Sequence, residues 1–427
     1  MDAPALRFTT NLSRRCNLWA LALLLVSQSD LTVAAQANAL APQQHRAHSA
    51  YPTHQAGHKP QAAKPVLAAS NEAARLALLA SAHAALLAGN TDAANAELDR
   101  AEGMSHSADT EVLQVLALMQ RGQYQRAVAY AAHAAGAHLD APQALALHAW
   151  LLALGEQRDH AAVQVTSALR RRPGDVDVLA LQARLQTLQP NASADLTTTV
   201  PAAGSRPGPV PTGASVPVDA RMLATGVLLD GRLTVLVPLQ AVQGASALWV
   251  RSSLGAARSA VLTKQFDDTG LALLTLTEPL TLPPQHLGLL RAPVDAFAGS
   301  PGRVIGMLAS PDEAAPKAAW PAMNTGFIGR SNASGTQALG IETPPAPQGA
   351  PVFDRAGRWI GVVGAAPAKA SGDAALGPRL VSLSQLMKAL GDSWMSVPQA
   401  STAATLTPAE IYERALPVTL QVLVQRQ

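Results

Sequence analysis

The hydrophobic period of this sequence changes across a proline-rich stretch, residues 190–216, and the change separates two kinds of structure. Before the stretch, over residues 68–189, apolar residues recur with a helical period. After it, apolar residues form short runs between glycine and proline turns, which is typical of β-barrels or a β-sandwich. The length of 427 residues allows two or three domains with sizeable cores. The sequence therefore predicts a multidomain chain that is helical first and all-β afterwards.

The helical segment, residues 68–189, contains a repeat. Ala94, Ala127 and Ala161 lie 33 and then 34 residues apart. A glycine stands ahead of the second helix of each unit, at Gly89, Gly122 and Gly155. This pattern resembles the tetratricopeptide repeat (TPR), in which small residues allow paired helices to pack closely. The resemblance implies a solenoid of three stacked units, and the alternative is a plain alanine-rich helical bundle.

Four segments of the β-rich part resemble, in the same order, the motifs of Deg/HtrA-type trypsin-like serine proteases. They are residues 225–231, 235–245, 267–274 and 346–352. The last segment resembles the loop that carries the serine nucleophile in that family. The resemblance implies the chymotrypsin fold, a double β-barrel, over residues 217–395.

At the three catalytic positions of these motifs, the chain has other residues. Gln240 stands at the histidine position, Gly270 at the aspartate position and Gln348 at the serine position. In such a triad the serine attacks, the histidine transfers the proton and the aspartate orients the histidine. Glutamine and glycine can do none of these, so the resemblance implies a pseudoprotease to which no catalytic residue is assigned. The alternative is an active trypsin-like endopeptidase whose triad lies elsewhere in the chain.

Other side chains of the β-rich part are weaker candidates for catalysis. His286 is its only histidine, and it lies in a segment that we interpret as the connection between the barrels. Asp267 and Asp268 are interpreted as residues of a turn before a strand. No motif places a serine beside any of the lysines of this part: Lys264, Lys317, Lys369 and Lys388.

The first strand of the first barrel is displaced in this sequence. In the family it precedes the first motif, but residues 217–224 are too short and too polar for it. Residues 405–427 resemble that opening segment instead: Thr407 caps a short helix, Pro408 takes its first position, and residues 418–424 are apolar like a strand. We therefore predict a circular permutation in which residues 405–427 complete the first barrel. The alternative is exchange of this strand between two chains, which gives a strand-swapped dimer.

The N-terminus predicts an export signal over residues 1–35. Arg14 and Arg15 precede an apolar run at residues 18–26, and small-residue cleavage sites follow. The run is shorter than the about 20 residues that a spanning helix needs, and the alternative is an uncleaved anchor. Cys16, the only cysteine, lies inside this leader, which leaves the mature chain without a disulfide or a thiolate site. We expect a periplasmic or secreted protein of a Gram-negative bacterium.

Two segments are predicted to be linkers. Residues 190–216 are expected to join the helical and β-rich parts flexibly. Residues 36–67 are rich in Ala, Gln, His and Pro and are expected to be disordered. No metal site is assigned there, because no defined spacing or carboxylate partner supports the histidines of the segment: His45, His48, His54 and His58.

The composition and the predicted folds together limit the function. A formal charge of +3, without a basic stripe, excludes a nucleic-acid-binding protein. A helical solenoid and a double barrel are both typical peptide-binding shapes. We expect a secreted scaffold or adaptor without a cofactor. Its partners would be extended peptides or envelope proteins that bind the TPR-like groove and the inter-barrel cleft.

Overall fold

The computed structural model describes residues 64–187, 207–229, 232–308, 317–331, 337–341, 348–364, 378–391, 394, 397–400 and 404–426. These residues belong to one compact unit, Ala63–Gln427. The predicted leader and most of both predicted linkers lie outside the described residues. Within the described ranges, no helix combines the length and the apolar character that crossing a membrane requires.

The first part of the chain consists of helices that pack in consecutive pairs. The repeated alanines Ala94, Ala127 and Ala161 have no exposed surface, and each lies on the second helix of a pair, α2, α4 or α6. Close helix packing therefore depends on them, as the repeat pattern predicts, while the assignment to the TPR family stays a prediction. The helices are α1 (Lys64–Leu87), α2 (Thr91–Met104), α3 (Ala108–Gln120), α4 (Tyr124–Ala137), α5 (Pro142–Leu154), α6 (Arg158–Arg171) and α7 (Val176–Thr187).

The next strands form a closed barrel together with the last strand of the chain. In the barrel the order is β5-β4-β13-β2-β3-β6, and β6 pairs with β5 to close it. The short helix α8 (Leu239–Val242) follows β3. The strands are β2 (Arg221–Leu228), β3 (Thr234–Pro238), β4 (Ala247–Ser252), β5 (Ala256–Phe266), β6 (Leu271–Leu276) and β13 (Thr419–Gln425).

A short additional strand, β1 (Thr212–Gly213), pairs in parallel with β5 on this barrel. Its backbone is fixed by hydrogen bonds from Thr212 N to Gly255 O (3.0 Å) and from Ala214 N to Ala257 O (2.9 Å). The prediction of a linker over residues 190–216 is therefore wrong at its end, because these residues belong to the barrel.

The C-terminal strand β13 lies between β2 and β4 of its own chain. Leu420 is opposite Gly226 of β2 and Ser252 of β4, and all but the last residue of the strand are buried. The helix α10 (Pro408–Ala415) and a 3-10 turn (Leu416–Val418) lead into it. Without β13, the facing edges of β2 and β4 would have no partner, so the end of the chain completes the barrel.

A second antiparallel barrel follows, closed in the order β10-β11-β12-β9-β8-β7. The prediction of a helical region followed by a double β-barrel is confirmed at this level. The helix α9 (Leu383–Leu390) follows the last strand of this second barrel, β12. The strands are β7 (Pro301–Gly306), β8 (Ala322–Ser331), β9 (Gln337–Gly340), β10 (Pro351–Phe353), β11 (Trp359–Gly364) and β12 (Arg379–Ser382).

The helical region packs directly on the barrels. The backbone N–H of Gln125 donates to Glu413 of α10 (2.8 Å), and the hydroxyl of Thr325 on β8 donates to Glu156 (2.6 Å). A Cβ at Gly122 would lie 3.4 Å from Pro283 and so in contact with the segment between the barrels. The prediction that the two parts are joined flexibly is wrong for these helices, because the contacts fix them to both barrels.

Candidate functional site

The three positions that the protease resemblance singles out lie at strand ends. Gln240 lies in α8, directly after β3, and its side chain is exposed. Gly270 ends the turn before β6, and Gln348 lies in the turn before β10; both are half-buried. The first two positions belong to the first barrel and the third to the second barrel.

A backbone hydrogen bond brings Gln240 and Gly270 together. The N–H of Leu239 donates to the carbonyl of Gly270 at 2.9 Å, so the start of α8 lies against the turn before β6. Gly270 has a left-handed φ of 67°, and no atom lies within 4 Å of the position of a Cβ there. A side chain at position 270 would therefore enter open space beside α8.

The loop with Gln348 reaches across to the first barrel. The carbonyl of Gln348 accepts from the N–H of Thr225 on β2 at 3.1 Å. A Cβ at Gly349 would lie 2.1 Å from the carbonyl oxygen of Thr225 and 2.6 Å from Cδ of Pro238, and φ there is +81°. Only glycine allows this approach. Since Pro238 and Leu239 are consecutive, all three positions gather around the end of β3.

Thr225 of the first barrel forms hydrogen bonds to the second barrel next to this site. Its side chain is fully buried, and its hydroxyl accepts a hydrogen bond from the N–H of Met307, just after β7, at 2.9 Å. Thr225 therefore contacts the second barrel both through Met307 and through Gln348. The geometry of the site is held by backbone bonds and close packing, and the side chains at its three positions are two carboxamides and the hydrogen of Gly270.

His286 lies in the segment between the barrels and uses both ring nitrogens. Nε2 is 2.6 Å from the carbonyl of Arg414, which requires a proton on Nε2, and Nδ1 accepts from the N–H of Gly288 at 3.0 Å. Burial lowers the pKa of His286 below 6.5, although the bond to the Arg414 carbonyl opposes this. The ring lines a cavity of about 310 Å³ whose lining includes none of the three positions above.

The other predicted candidates have structural surroundings. The carbonyl of Asp267 accepts from the N–H of Gly270 at 3.2 Å, which is the turn that the sequence predicts. The amine of Lys264 lies 5.0 Å from the centre of the Phe266 ring. In the part of the chain that the structure describes, no hydrogen bond joins a serine hydroxyl to a lysine amine; Lys369 lies outside it.

A cluster of three histidines and one glutamate lies in the helical region, and the sequence analysis did not predict it. His106, Glu111, His133 and His138 come together where the start of α3 meets the end of α4. His106 and Glu111 are five residues apart, and so are His133 and His138. In each pair one residue lies inside the helix and the other just beyond its end. The usual signal of ligands one helical turn apart is therefore missing. The predicted linker histidines, residues 45–58, lie outside the described residues.

Comparison with known proteins yields only distant structural similarity. No family model matches the chain, and no curated protein matches it. A serine endoprotease from Yersinia pestis is 15% identical with a TM-score of 0.33, over 41% of this chain and 58% of that chain. The Rv3671c protease, in an inactive form, is 16% identical with a TM-score of 0.31, over 40% of this chain and 85% of that chain. The chain thus spans less than two thirds of the length of the Yersinia protein.

Proposed function

We propose that this protein is a non-hydrolytic scaffold or adaptor, in which a trypsin-like double barrel serves as a binding module. One observation carries the proposal. Gln240, Gly270 and Gln348 gather around the end of β3, where the trypsin-like motifs would assemble a triad, and none of them has a nucleophile or a base. The three substitutions fall in one place, so they remove one chemical function together.

The alternative, a serine endopeptidase with another triad, lacks a free histidine base in the β-rich part. His286 is the only histidine after residue 217. Its Nε2 donates to Arg414 and its Nδ1 accepts from Gly288, so neither nitrogen is available to a serine hydroxyl. Hydrolysis by a serine–histidine pair would require this segment to rearrange.

A binding role is supported by exposed aromatic rings on the second barrel. Phe297 and Phe327 are 76% and 61% exposed. They lie on adjacent backbone segments, because Gly299 N donates to Ile328 O at 2.8 Å and Ile328 N donates to Ser300 O at 2.8 Å. Aromatic side chains are enriched at protein-binding surfaces, and these two lie on neighbouring segments, so they are the candidates for such a surface. The partners we propose are extended peptides or envelope proteins.

Export to the periplasm or the exterior is part of the proposal and rests on the leader of residues 1–35. Sequencing the N-terminus of the protein recovered from a periplasmic extract tests it. A mature N-terminus near residue 36 supports export with cleavage, and an intact Met1 in the cytosolic fraction contradicts it.

The enzyme question is tested by treating the purified full chain with a fluorophosphonate probe and with unfolded casein. An active trypsin-like protease serves as the positive control. We expect no covalent label and no cleavage, because the site offers no nucleophile. Labelling of the wild-type protein that is lost on substitution of a single serine would establish the endopeptidase alternative.

The binding role is tested with fluorescent casein peptides and anisotropy. We expect binding that weakens at least about tenfold in a Phe297→Asp, Phe327→Asp double variant, since such anchors dominate interfaces. Val261→Asp is the matched control, because Val261 is 55% exposed on the first barrel. Equal affinity of the double variant and the control would rule out this surface.

A further inference from the structure

Glu111 is a buried carboxylate whose oxygens have no hydrogen-bond partner. Its side chain is 1% exposed, in the first turn of α3. Neither Oε1 nor Oε2 makes a hydrogen bond, and Nε2 of His138 is in the same state. A buried carboxylate needs a positive partner, which either protonated histidines or a bound cation can supply.

Three histidines surround this carboxylate through the same ring atom. Nε2 of His106 lies 2.7 Å from Oε1, Nε2 of His133 lies 3.3 Å from Oε1, and Nε2 of His138 lies 3.2 Å from Oε2. None of these contacts has the angles of a hydrogen bond, because the carboxylate oxygens remain without a partner. The nitrogens therefore approach the oxygens closely without directing an N–H at them.

The ligand atoms of His106, Glu111 and His138 lie close enough together to surround one metal ion. With zinc–ligand bonds of about 2.0–2.2 Å in a tetrahedron, neighbouring ligand atoms lie about 3.3–3.6 Å apart. The contacts of His133 (3.3 Å) and His138 (3.2 Å) lie near the short end of this range, whereas the 2.7 Å contact of His106 is that of a direct ion pair, which an ion would have to separate slightly. The ligand atoms of His106, Glu111 and His138 all lie within 4.8 Å of one another.

The segment with His106 and Glu111 is held in place by a buried arginine. Arg75 of α1 is 6% exposed and donates to the hydroxyl of Ser107 (2.8 Å) and to the carboxylate of Asp109 (2.9 Å). Both residues lie between the two ligands in the sequence. These bonds fix the segment between the two proposed ligands, although they do not contact the ligands themselves.

We propose that His106, Glu111 and His138 bind a zinc-type divalent metal ion, with Nε2 of His133 close to Oε1 of Glu111. Imidazole and carboxylate ligands favour zinc and its neighbours over magnesium or calcium, which prefer oxygen. The ion then has three protein ligands, which leaves one position of a tetrahedron for water or for a neighbouring side chain such as His133. It links the start of α3 to the end of α4 and stabilises that helix pair.

The test uses the purified full chain, stripped with a chelator and titrated with Zn²⁺ by calorimetry and with Co²⁺ by visible absorption. The variants are Glu111→Gln and His106→Ala, and the control is His83→Ala, a histidine exposed on α1. His106 is 48% exposed, so its removal leaves the core intact, and circular dichroism of the metal-free variants checks the fold.

We expect the wild type and His83→Ala to bind one equivalent of Zn²⁺ that both ligand variants lose. The loss should exceed the about 10- to 100-fold weakening that removal of an outer partner causes. Co²⁺ should show the intense visible absorption of a tetrahedral site. Zn²⁺ should raise the melting temperature of the wild type and leave the melting temperatures of Glu111→Gln and His106→Ala unchanged. Metal bound equally by the ligand variants, as by histidines elsewhere, overturns the proposal. So does a wild type that binds none, which leaves Glu111 in an ion pair only.

Discussion

The ring centres of Tyr124 and Tyr412 lie 4.4 Å apart, and this contact joins the helical region to the C-terminal helix α10. Both side chains are buried, and each hydroxyl has one partner. Tyr124 donates to the carbonyl of Leu151 at 2.8 Å, and Tyr412 donates to the carbonyl of Pro321 at 2.7 Å. Tyr412 therefore contacts the helical region with its ring and the second barrel with its hydroxyl.

We predict that Tyr124 and Tyr412 contribute to stability as a coupled pair. Each change to Ala should cost about 3–5 kcal/mol, and a double-mutant cycle should show a coupling of about 0.5–1.5 kcal/mol. Urea unfolding of the four proteins measures both quantities. Strictly additive costs would mean that the rings do not stabilise each other.

Removal of residues 405–427 should prevent the first barrel from folding. The deletion takes out β13, whose two neighbours β2 and β4 would then lack a partner. Circular dichroism during heating should show no cooperative transition of the barrel. A chain shortened only by Arg426 and Gln427, which follow the strand, should melt like the full chain. A stable product of the larger deletion would contradict the role of β13.

Two glycines of the candidate site should respond very differently to alanine. Gly349→Ala would place a methyl group 2.1 Å from the Thr225 carbonyl, so we expect a loss of about 3–4 kcal/mol. Gly270→Ala meets no atom within 4 Å and should cost only about 1 kcal/mol, from its positive φ. Chemical unfolding compares them. Similar costs would show that the Gln348 loop can move away from the first barrel.

Local sequence patterns predicted the elements better than their contacts. The alanine spacing predicted the buried positions of α2, α4 and α6, because close helix packing needs small residues at a fixed period. The displaced strand was predictable because a capped helix and an apolar run at the C-terminus resemble a segment that is missing elsewhere. A contact was not predictable in this way. The repeat predicted a glycine at position 155, but not that a Cβ there would lie 1.9 Å from the Tyr124 hydroxyl, so that the tyrosine also requires a glycine at this position.

Contacts between distant segments could not be predicted in the same way. Tyr124 and Tyr412 are far apart in sequence, and nothing in either neighbourhood marks the other. The grouping of Gln240, Gly270 and Gln348 followed only from a family resemblance, since glutamine and glycine carry no chemical signal. The cluster around Glu111 needed the packing of α3 against α4, which no spacing along the chain reveals.

Acidification should destabilise the protein through His148, a buried histidine of α5. Its side chain is 8% exposed, has an Nδ1 without a hydrogen-bond partner and lines a small cavity together with Leu152, His160, Val163 and Gln164. Burial lowers the pKa of His148 below its ordinary 6.5. Below pH 6.5, His148 binds a proton in the unfolded chain but remains neutral in the folded chain until the pH reaches its lower folded-state pKa. The stability contribution is therefore complete above pH 6.5 and is lost as the pH falls from 6.5 towards the folded-state pKa.

The expected slope in that window is at most about 1.4 kcal/mol per pH unit for this one residue. Urea unfolding at a series of pH values, for wild type and His148→Leu, measures it. The variant should lose less stability on acidification, because leucine has a similar volume and no proton to bind. His83→Leu, at an exposed position of α1, should keep the wild-type slope. An unchanged slope in His148→Leu would show that His148 is protonated equally in the folded and unfolded chains, and that water reaches α5.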